Sequence, residues 1–534
     1  MSTWRRLALA FFPEERRTLQ RPLYIDSYYS LYSWVFLPRC REAHAAGDHR
    51  TLRKIYAHAE WCLRQNERAW DLAIAVRVCF YEHLFDRRED WERVIPYLSA
   101  KVYEGCWPIW EYRWKFWTAR FGAEETRRLR QLLTAGEARA QETRRNTMAA
   151  GEQIDMEQWL GTAAELEEAA ALTAHLVAIR SFPGEEGAVQ QAIADWFTVQ
   201  GLTPELSPTS GEHPNIIVRI ENGPGPTLLL NGHTDTVLAA QGWSCDPWRG
   251  RRDGDRFYGL GAADMKSGVA AAMLVTRALA RAPGRWSGTV IFTAVMDEEA
   301  FSIGARALVE LGIQADYCVV TEPMHEPPMI GGVGKVLVRG EVTGKSSHAS
   351  MPDEGINAAE EAARLIAQLA AMPLGQHPRM RSSQAVLSLH SGNEQYVITV
   401  PERATFTINR HTVPGETGET ILAEMRALAD SLDSPAQFAF AIDPPYYPAW
   451  ELDAAHPFAA DFERAYAAEF GHAPEWGYAR HVADANYFAA DLGIPTLQFG
   501  PHGYGFHQCD EWVDLPSIAA TIRVILRLAT DILH

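Results

Sequence analysis

The chain has 534 residues, 47% of them hydrophobic and 22% charged, and a formal net charge of −18. That length exceeds one compact core and implies two to four domains of ordinary globular composition. Seven scattered cysteines (40, 62, 79, 106, 245, 318 and 509) with no Cys-x-x-Cys pair argue against a disulfide framework. The apolar stretch 7–12 is too short for a signal peptide, and no 18-residue apolar run offers a membrane span. A soluble, cytoplasmic protein is expected.

The charge is unevenly placed. Residues 1–150 hold 26 Lys and Arg against 19 Asp and Glu, a net of +7, which leaves −25 for the rest. Opposite signs imply two modules. The basic charges of the first are interleaved with Glu and Asp, as on a solvated helical face, and no run suits a phosphate backbone. A nucleic-acid partner is therefore not expected, and a protein partner is the alternative for this module.

Residues 1–145 read as an all-α domain. Leu52, Ile55, Tyr56, Ala59 and Leu63 recur at helix spacing, and 69–84 does the same. Its Trp34, Trp61, Trp70, Trp91, Trp107, Trp110, Trp114 and Trp117 read as core, with a binding face as the rival reading. Residues 136–158 are polar and aromatic-poor and read as a linker or an exposed helix between modules, with the linker set at 146–160. From 161 the texture alternates. Helices are predicted at 164–179, 189–200 and 267–282, and strands at 215–220, 227–231, 288–296, 317–321 and 496–500. This is the pattern of an α/β sandwich around a largely parallel sheet. A second unit, 335–444, interrupts it with strand 335–344, helix 356–371, strands 385–390 and 404–410, helix 420–432 and strand 437–442. That β-α-β-β-α-β order is ferredoxin-like. The first pattern resumes over 445–534 and ends in helix 517–533.

Five short stretches concentrate the chemistry. His233 and Asp235 follow an apolar strand. Positions i and i+2 of extended chain share a side, so His233 can bind a metal while Asp235 takes its other ring nitrogen; a turn with capping groups is the plainer alternative. Asp264 lies between Gly259-Leu-Gly-Ala-Ala263 and a helix that opens with small residues. It is either a helix N-cap or a carboxylate bridging two metal ions. Glu298 and Glu299 end strand 288–296, where adjacent carboxylates repel and lose solvent unless a metal takes one and proton transfer uses the other. Glu322 ends strand 317–321. His507 lies in the Gly- and His-rich loop after strand 496–500, with His502 as its rival. Ligands on successive strand ends converge at the carboxyl edge of a sheet, and together these stretches describe a two-metal hydrolytic site.

At these residues the chain resembles the dinuclear-zinc deacylase and carboxypeptidase family, which includes acetylornithine deacetylase, succinyl-diaminopimelate desuccinylase, aminoacylase and glutamate carboxypeptidase. The resemblance covers about residues 160–534. It implies that His233 and Glu322 hold one ion, that Glu299 and His507 hold the other, and that Asp264 bridges them. The ions would be two zinc ions, with cobalt or manganese as substitutes. Glu298 becomes the general base, and Asp235 the residue that orients the histidine. The inserted unit becomes a lid and the contact of a homodimer. His348, in Gly344-Lys-Ser-Ser-His-Ala-Ser350, steadies the oxyanion, often from the partner subunit. Asn409 and Arg410 would hold a carboxylate of the small-molecule substrate, with a salt bridge as the rival role for Arg410.

The expected reaction is hydrolysis of an amide bond in an N-acyl amino acid or similar small substrate. Dipeptidase or carboxypeptidase action is the alternative, and a non-catalytic scaffold that uses the N-terminal module is the reading from outside enzymology. The chain departs from the family at residues 1–150. It departs again at Tyr478-Ala-Arg-His-Val-Ala-Asp-Ala-Asn486, where Arg480 and His481 stand in a stretch that is rich in Gly and Thr in many relatives.

Overall fold

The computed structural model describes residues 36–49, 51, 52, 55, 56, 59, 80–153, 156–369, 371–392 and 398–534. It divides into two units, Met1–Gln153 and Ile154–His534. Leu63, Trp34, Trp61, Trp70 and most of the helix predicted at 69–84 lie outside the described residues.

The described part of the first unit is helical. Ser99 accepts the amide of Val102 and starts helix Ala100–Phe121, and Gly122, at φ 88°, separates it from helix Ala123–Gln153. Trp91, Trp110 and Trp117 are buried, and Phe85 packs edge-on against Trp110 and Trp117. Their ring N–H groups are satisfied by Phe85 O, Tyr81 O and Asp86 Oδ1. These three tryptophans are thus core, as burial of an indole with a satisfied N–H favours. Arg88–Glu125 and Arg128–Glu92 pairs line exposed surface, the solvated basic face read from the composition.

Of the two readings of the connecting stretch, linker or exposed helix, the structure shows helix over most of it. Ala123–Gln153 runs through its first half, and helix Met156–Ala163 buries Leu160 and Ala163 in the core of the second unit. Polarity suggested a tether, but Leu160 and Ala163 lie three apart on one helical face and carry that helix into the core.

In the second unit the strands before the insertion are β1 (Pro204–Ser207), β2 (Asn215–Asn222), β3 (Thr227–His233), β4 (Arg251–Asp253), β5 (Arg256–Tyr258), β6 (Gly288–Val295), β7 (Tyr317–Val320) and β8 (Met329–Gly332). The insertion carries β9 (Gly334–Thr343), β10 (Ser383–Ser391), β11 (Arg403–Thr412) and β12 (Gln437–Tyr447). After it come β13 (Trp450–Glu451), β14 (Gly477–Ala479), β15 (Thr496–Gln498), β16 (Gly503–Tyr504) and β17 (Trp512–Asp514).

The main sheet is ordered β1-β2-β6-β3-β7-β15-β8-β13, with β14 beside β8. Its centre, β6-β3-β7-β15, is parallel. The flanking β1-β2, β2-β6, β15-β8 and β8-β13 pairs are antiparallel. The sheet is therefore more mixed than the pattern implied, because short returns such as 208–214 leave no room for the crossover a parallel pair needs. Alternation splits the core between its faces. Leu228, Leu230, Val290 and Phe292 share one cluster with residues of helices Ser267–Arg281 and Leu515–Ile532, while Leu229, Ile291, Cys318 and Val320 share another with helix Ile303–Leu311.

The insertion folds as β9, helix Ala358–Leu369, β10, β11, helix Gly418–Asp430 and β12, in an antiparallel sheet ordered β10-β11-β9-β12. Its two crossings from the main body are pinned together. The buried Asn486 side chain donates to Val333 O at 2.9 Å and to Pro448 O at 2.8 Å, and its own oxygen accepts the amide of Ala483. A Cβ on Gly334 would come within 2.5 Å of Tyr447 O, so the crossings touch closely. Among the described residues, no helix is long and apolar enough to cross a membrane.

Candidate metal centre

Strand ends and loops around the parallel centre supply the site. His233 ends β3, Glu298 and Glu299 follow β6, Glu322 follows β7, and His507 lies in the loop between β16 and β17. Asp264 sits just before helix Ser267–Arg281. That helix has no side-chain cap, so Asp264 is not an N-cap. Small residues allow the approach: a Cβ on Gly268 would lie 1.9 Å from Thr321 O, and Gly261, at φ 73°, would meet the Thr236 methyl at 2.4 Å.

The seven polar groups converge. Asp264 turns one oxygen to His233 Nε2 at 3.2 Å and the other to His507 Nε2 at 3.6 Å. His233 Nε2 also lies 3.9 Å from Glu298 Oε2 and 3.9 Å from Glu322 Oε1, and His507 Nε2 lies 3.0 Å from Glu299 Oε2. His233, Asp264 and Glu299 alone present atoms within 4.8 Å of one another. All of these groups except His507 are buried or nearly so. His502, the rival of His507, lies against Trp512 and His325 instead.

The electrostatics follow from burial. Desolvation and then neighbouring carboxylates push Glu298 and Glu322 well above the usual carboxylate range, against the pull of His233. Burial raises Glu299 as well. Burial also opposes ionisation of Asp264, but the His233 and His507 hydrogen bonds outweigh it and hold that carboxyl low. For His233, burial favours the neutral ring, yet Asp235 and Asp264 lift it well above its ordinary value, while Asp264 and Glu299 raise His507 to about 10. Five carboxylates and two imidazoles crowded in this way fit divalent cations. Bonds of about 2.0–2.2 Å from two facing donors span the separations seen here, and buried charges without such partners are costly.

Asp235 does more than expected. Its carboxylate is 3.5 Å from His233 Nδ1, which lies closer, at 3.1 Å, to the Asp235 backbone carbonyl. Its two oxygens accept the amides of Glu298 at 3.1 Å and Glu299 at 2.9 Å, so one side chain fixes both the histidine and the turn carrying the two glutamates.

Other expected residues stand elsewhere. His348 is exposed, and its Nδ1 accepts from Ser350 at 2.8 Å. Asn409 is half-buried on β11, and its Oδ1 has no hydrogen-bond partner. Arg410 is not placed to bind substrate. It is fully buried and paired with Glu416 and, at 2.7 Å, with Glu424. Strand alternation explains this: Ala404, Phe406, Ile408 and Arg410 share the core face, and Asn409 and His411 share the other. His411 stands opposite Lys335 in the register and lies within electrostatic reach of His481, which in turn feels Asp264 and His507. Arg480 is exposed.

Sequence reasoning missed two buried carboxylates. Asp484 accepts Asn231 Nδ2 at 2.9 Å, leaves its other oxygen without a partner, and is pushed by burial up to about 6. Glu511 accepts three backbone amides from the Asp264 turn.

The model of peptidase family M20/M25/M40 matches residues 229–531, and a domain of unknown function, DUF7674, matches residues 5–117. The chain is 29% identical over 377 residues to a succinyl-diaminopimelate desuccinylase of Paracoccus denitrificans, spanning 68% of this chain and 98% of that protein. It is 38% identical over 173 residues to an acetylornithine deacetylase of Aliivibrio salmonicida, spanning 32% of this chain and 44% of that protein. Among solved structures it is similar to the Bacillus subtilis YxeP protein, described as a dinuclear metal binding peptidase. The TM-score is 0.54 at 17% identity, over 69% of this chain and 98% of that one.

Proposed function

Because the chain belongs to peptidase family M20/M25/M40 and is a hydrolase of peptide or acyl–amino acid amide bonds, we propose that it is a deacylase of small N-acyl amino acids that works with two divalent ions, zinc foremost. His233 and Glu322 would hold one ion, Glu299 and His507 the other, and Asp264 both. The observation that carries this reading is the divided reach of Asp264, one oxygen towards each histidine. When bound, such ions acidify water and polarise a carbonyl.

The chain's own groups do the rest. Glu298 takes a proton from the attacking water and hands it to the leaving amine. Asp235 keeps Glu298 aimed through the backbone amide it accepts. Asn409, with the Lys335 ammonium and the rings of His411 and His481, which burial holds towards the neutral form, offers a polar wall with one cation to a substrate carboxylate.

His348 is exposed and bonded to Ser350 of its own loop, which suits a role in a partner's site across a homodimer formed by the inserted unit acting as lid. The edge strand β10 of that unit exposes Val386, Leu387 and Leu389, as an interface would. The N-terminal unit is assigned to a protein partner, and a cytoplasmic location belongs to the same proposal. Among the described residues, the one candidate metal group lies in the second unit.

The relatives matched in sequence are named deacylases, which favours deacylation over peptidase action. The test is a panel of N-acetyl, N-succinyl and N-carbamoyl amino acids and dipeptides, assayed with zinc or cobalt. Turnover of acyl amino acids above dipeptides is expected, and the reverse ranking makes the protein a peptidase.

A further inference from the structure

Glu511 is almost wholly buried, yet it belongs to no catalytic motif read from the sequence. Its side chain makes three contacts, all to one turn: Oε2 accepts the amide of Gly261 at 2.9 Å, and Oε1 accepts those of Ala263 at 2.8 Å and Asp264 at 3.0 Å. Its backbone carbonyl accepts a fourth amide, that of Gly259, at 3.0 Å. The turn it grips contains Asp264, whose φ and ψ are not helical although helix follows immediately. Two backbone bonds cross the turn, Ala262 N to Gly259 O at 3.1 Å and Lys266 N to Gly261 O at 3.0 Å, and the amides of Gly261, Ala263 and Asp264 go to Glu511. Glu511 also follows His507 in the same loop, and a Cβ on Gly505 would lie 3.1 Å from the Glu511 Cα, so that loop closes tightly on itself. One side chain thus joins the loop that brings His507 to the turn that brings Asp264.

We propose that Glu511 is a positioning residue that fixes the Gly261–Asp264 turn, and so sets Asp264 between His233 and His507. This rests on the reading of Asp264 as a metal ligand. Amides held by a carboxylate are strong, directional anchors, and buried partners behind metal ligands set the ligand's aim. A glutamine here keeps size and shape but has one good acceptor oxygen for amides that now reach two, and its NH2 faces a donor.

The experiment uses the full chain as Glu511→Gln, with Glu511→Ala and Asp264→Asn beside it. Hydrogen exchange is followed on the metal-free proteins, and zinc chloride is titrated into each by calorimetry. In Glu511→Gln, exchange is expected to quicken at the amides of Gly261, Ala263 and Asp264 while the main sheet keeps its protection. Zinc affinity is expected to fall about ten- to a hundredfold. Glu511→Ala should fall at least as far.

Parent-like zinc binding in both Glu511 variants, with binding lost in Asp264→Asn, overturns the positioning role and leaves the metal site standing. Unchanged zinc binding in Asp264→Asn removes the ligand reading, and the inference with it. Exchange that rises equally across the whole second unit makes Glu511 a general stabiliser and also overturns the role.

Discussion

Glu298 and Glu299 are neighbours in sequence, but the fold gives them different surroundings. Glu299 meets His507 at 3.0 Å, whereas Glu298 is 3.9 Å from His233 and accompanied mainly by other carboxylates. Glu298→Gln should therefore keep the zinc content of the parent, measured by elemental analysis, and lower kcat by about 10²–10⁴-fold; near-normal turnover would remove Glu298 from the base role. Arg410 gives the opposite expectation. Arg410→Ala leaves Glu416 buried without its cation while Glu416 still holds the amides of Val413 and Gly375. A stability loss of about 3 kcal/mol is expected, with KM near the parent value in whatever folds. A selective rise in KM at unchanged melting temperature would restore Arg410 to the substrate wall.

These residues also show what the sequence could convey. His233, Asp264, Glu298, Glu299, Glu322 and His507 stood out because charged groups at the ends of apolar strands need a reason, and the structure brings them together. Arg410 takes the salt-bridge role that was its rival reading, and the sequence held a signal for it, since neighbours in a strand point to opposite faces and Ala404, Phe406 and Ile408 mark the core side. Glu511 and the amide-binding half of Asp235 left no such signal. They act on backbone N–H groups, which every sequence has, so no partner residue type betrays them.

At the scale of elements, the insertion was legible because its helices and strands carry clean periodicity, and its sheet order follows from β-α-β-β-α-β with antiparallel pairing. The pin at its base was not, because Asn486 speaks only to carbonyl oxygens. Asn486→Ala frees both crossing carbonyls at once. Hydrogen exchange at residues 333–335 and 447–450 should quicken while the centre of the main sheet stays protected; equal protection in parent and variant would show that the pin holds nothing.

In the N-terminal unit, burial works to raise the Asp86 carboxyl, but hydrogen bonds from His83, Trp117 and Arg113 bring it down to about 2. A folded value below the unfolded one stabilises above the unfolded pKa of about 3.9 and is lost as pH falls through the folded value. Helix Ala100–Phe121 should therefore lose about 1–2 kcal/mol of protection between about pH 4 and pH 2 in the parent, and the Asp86→Asn variant should show no such step.

At the scale of the whole molecule, the opposite charges of the two modules and the change of texture near residue 160 were visible, but the exact seam was not. The polar stretch runs into helix Met156–Ala163 without a turn signal to mark the join, yet Leu160 belongs to the core of the second unit. A chain beginning at Ile154 should fold and hydrolyse its substrate at near-parental kcat. A chain beginning at residue 164 should be less stable by about 2–3 kcal/mol in urea melts, since a buried leucine is removed. Loss of activity from the folded longer chain would give the N-terminal unit a part in catalysis.

The placement of β15 between β7 and β8 has a consequence for how the protein is made. Synthesis delivers β7 and β8 long before β15, so a nascent chain must wait on the ribosome with a slot in its main sheet. Two strand edges face that slot unpaired, a template for joining the wrong chain, until the final stretch arrives to fill it and bring His507 along. Premature termination in that stretch therefore yields a sticky, open sheet lacking a ligand, and not a slightly weaker enzyme.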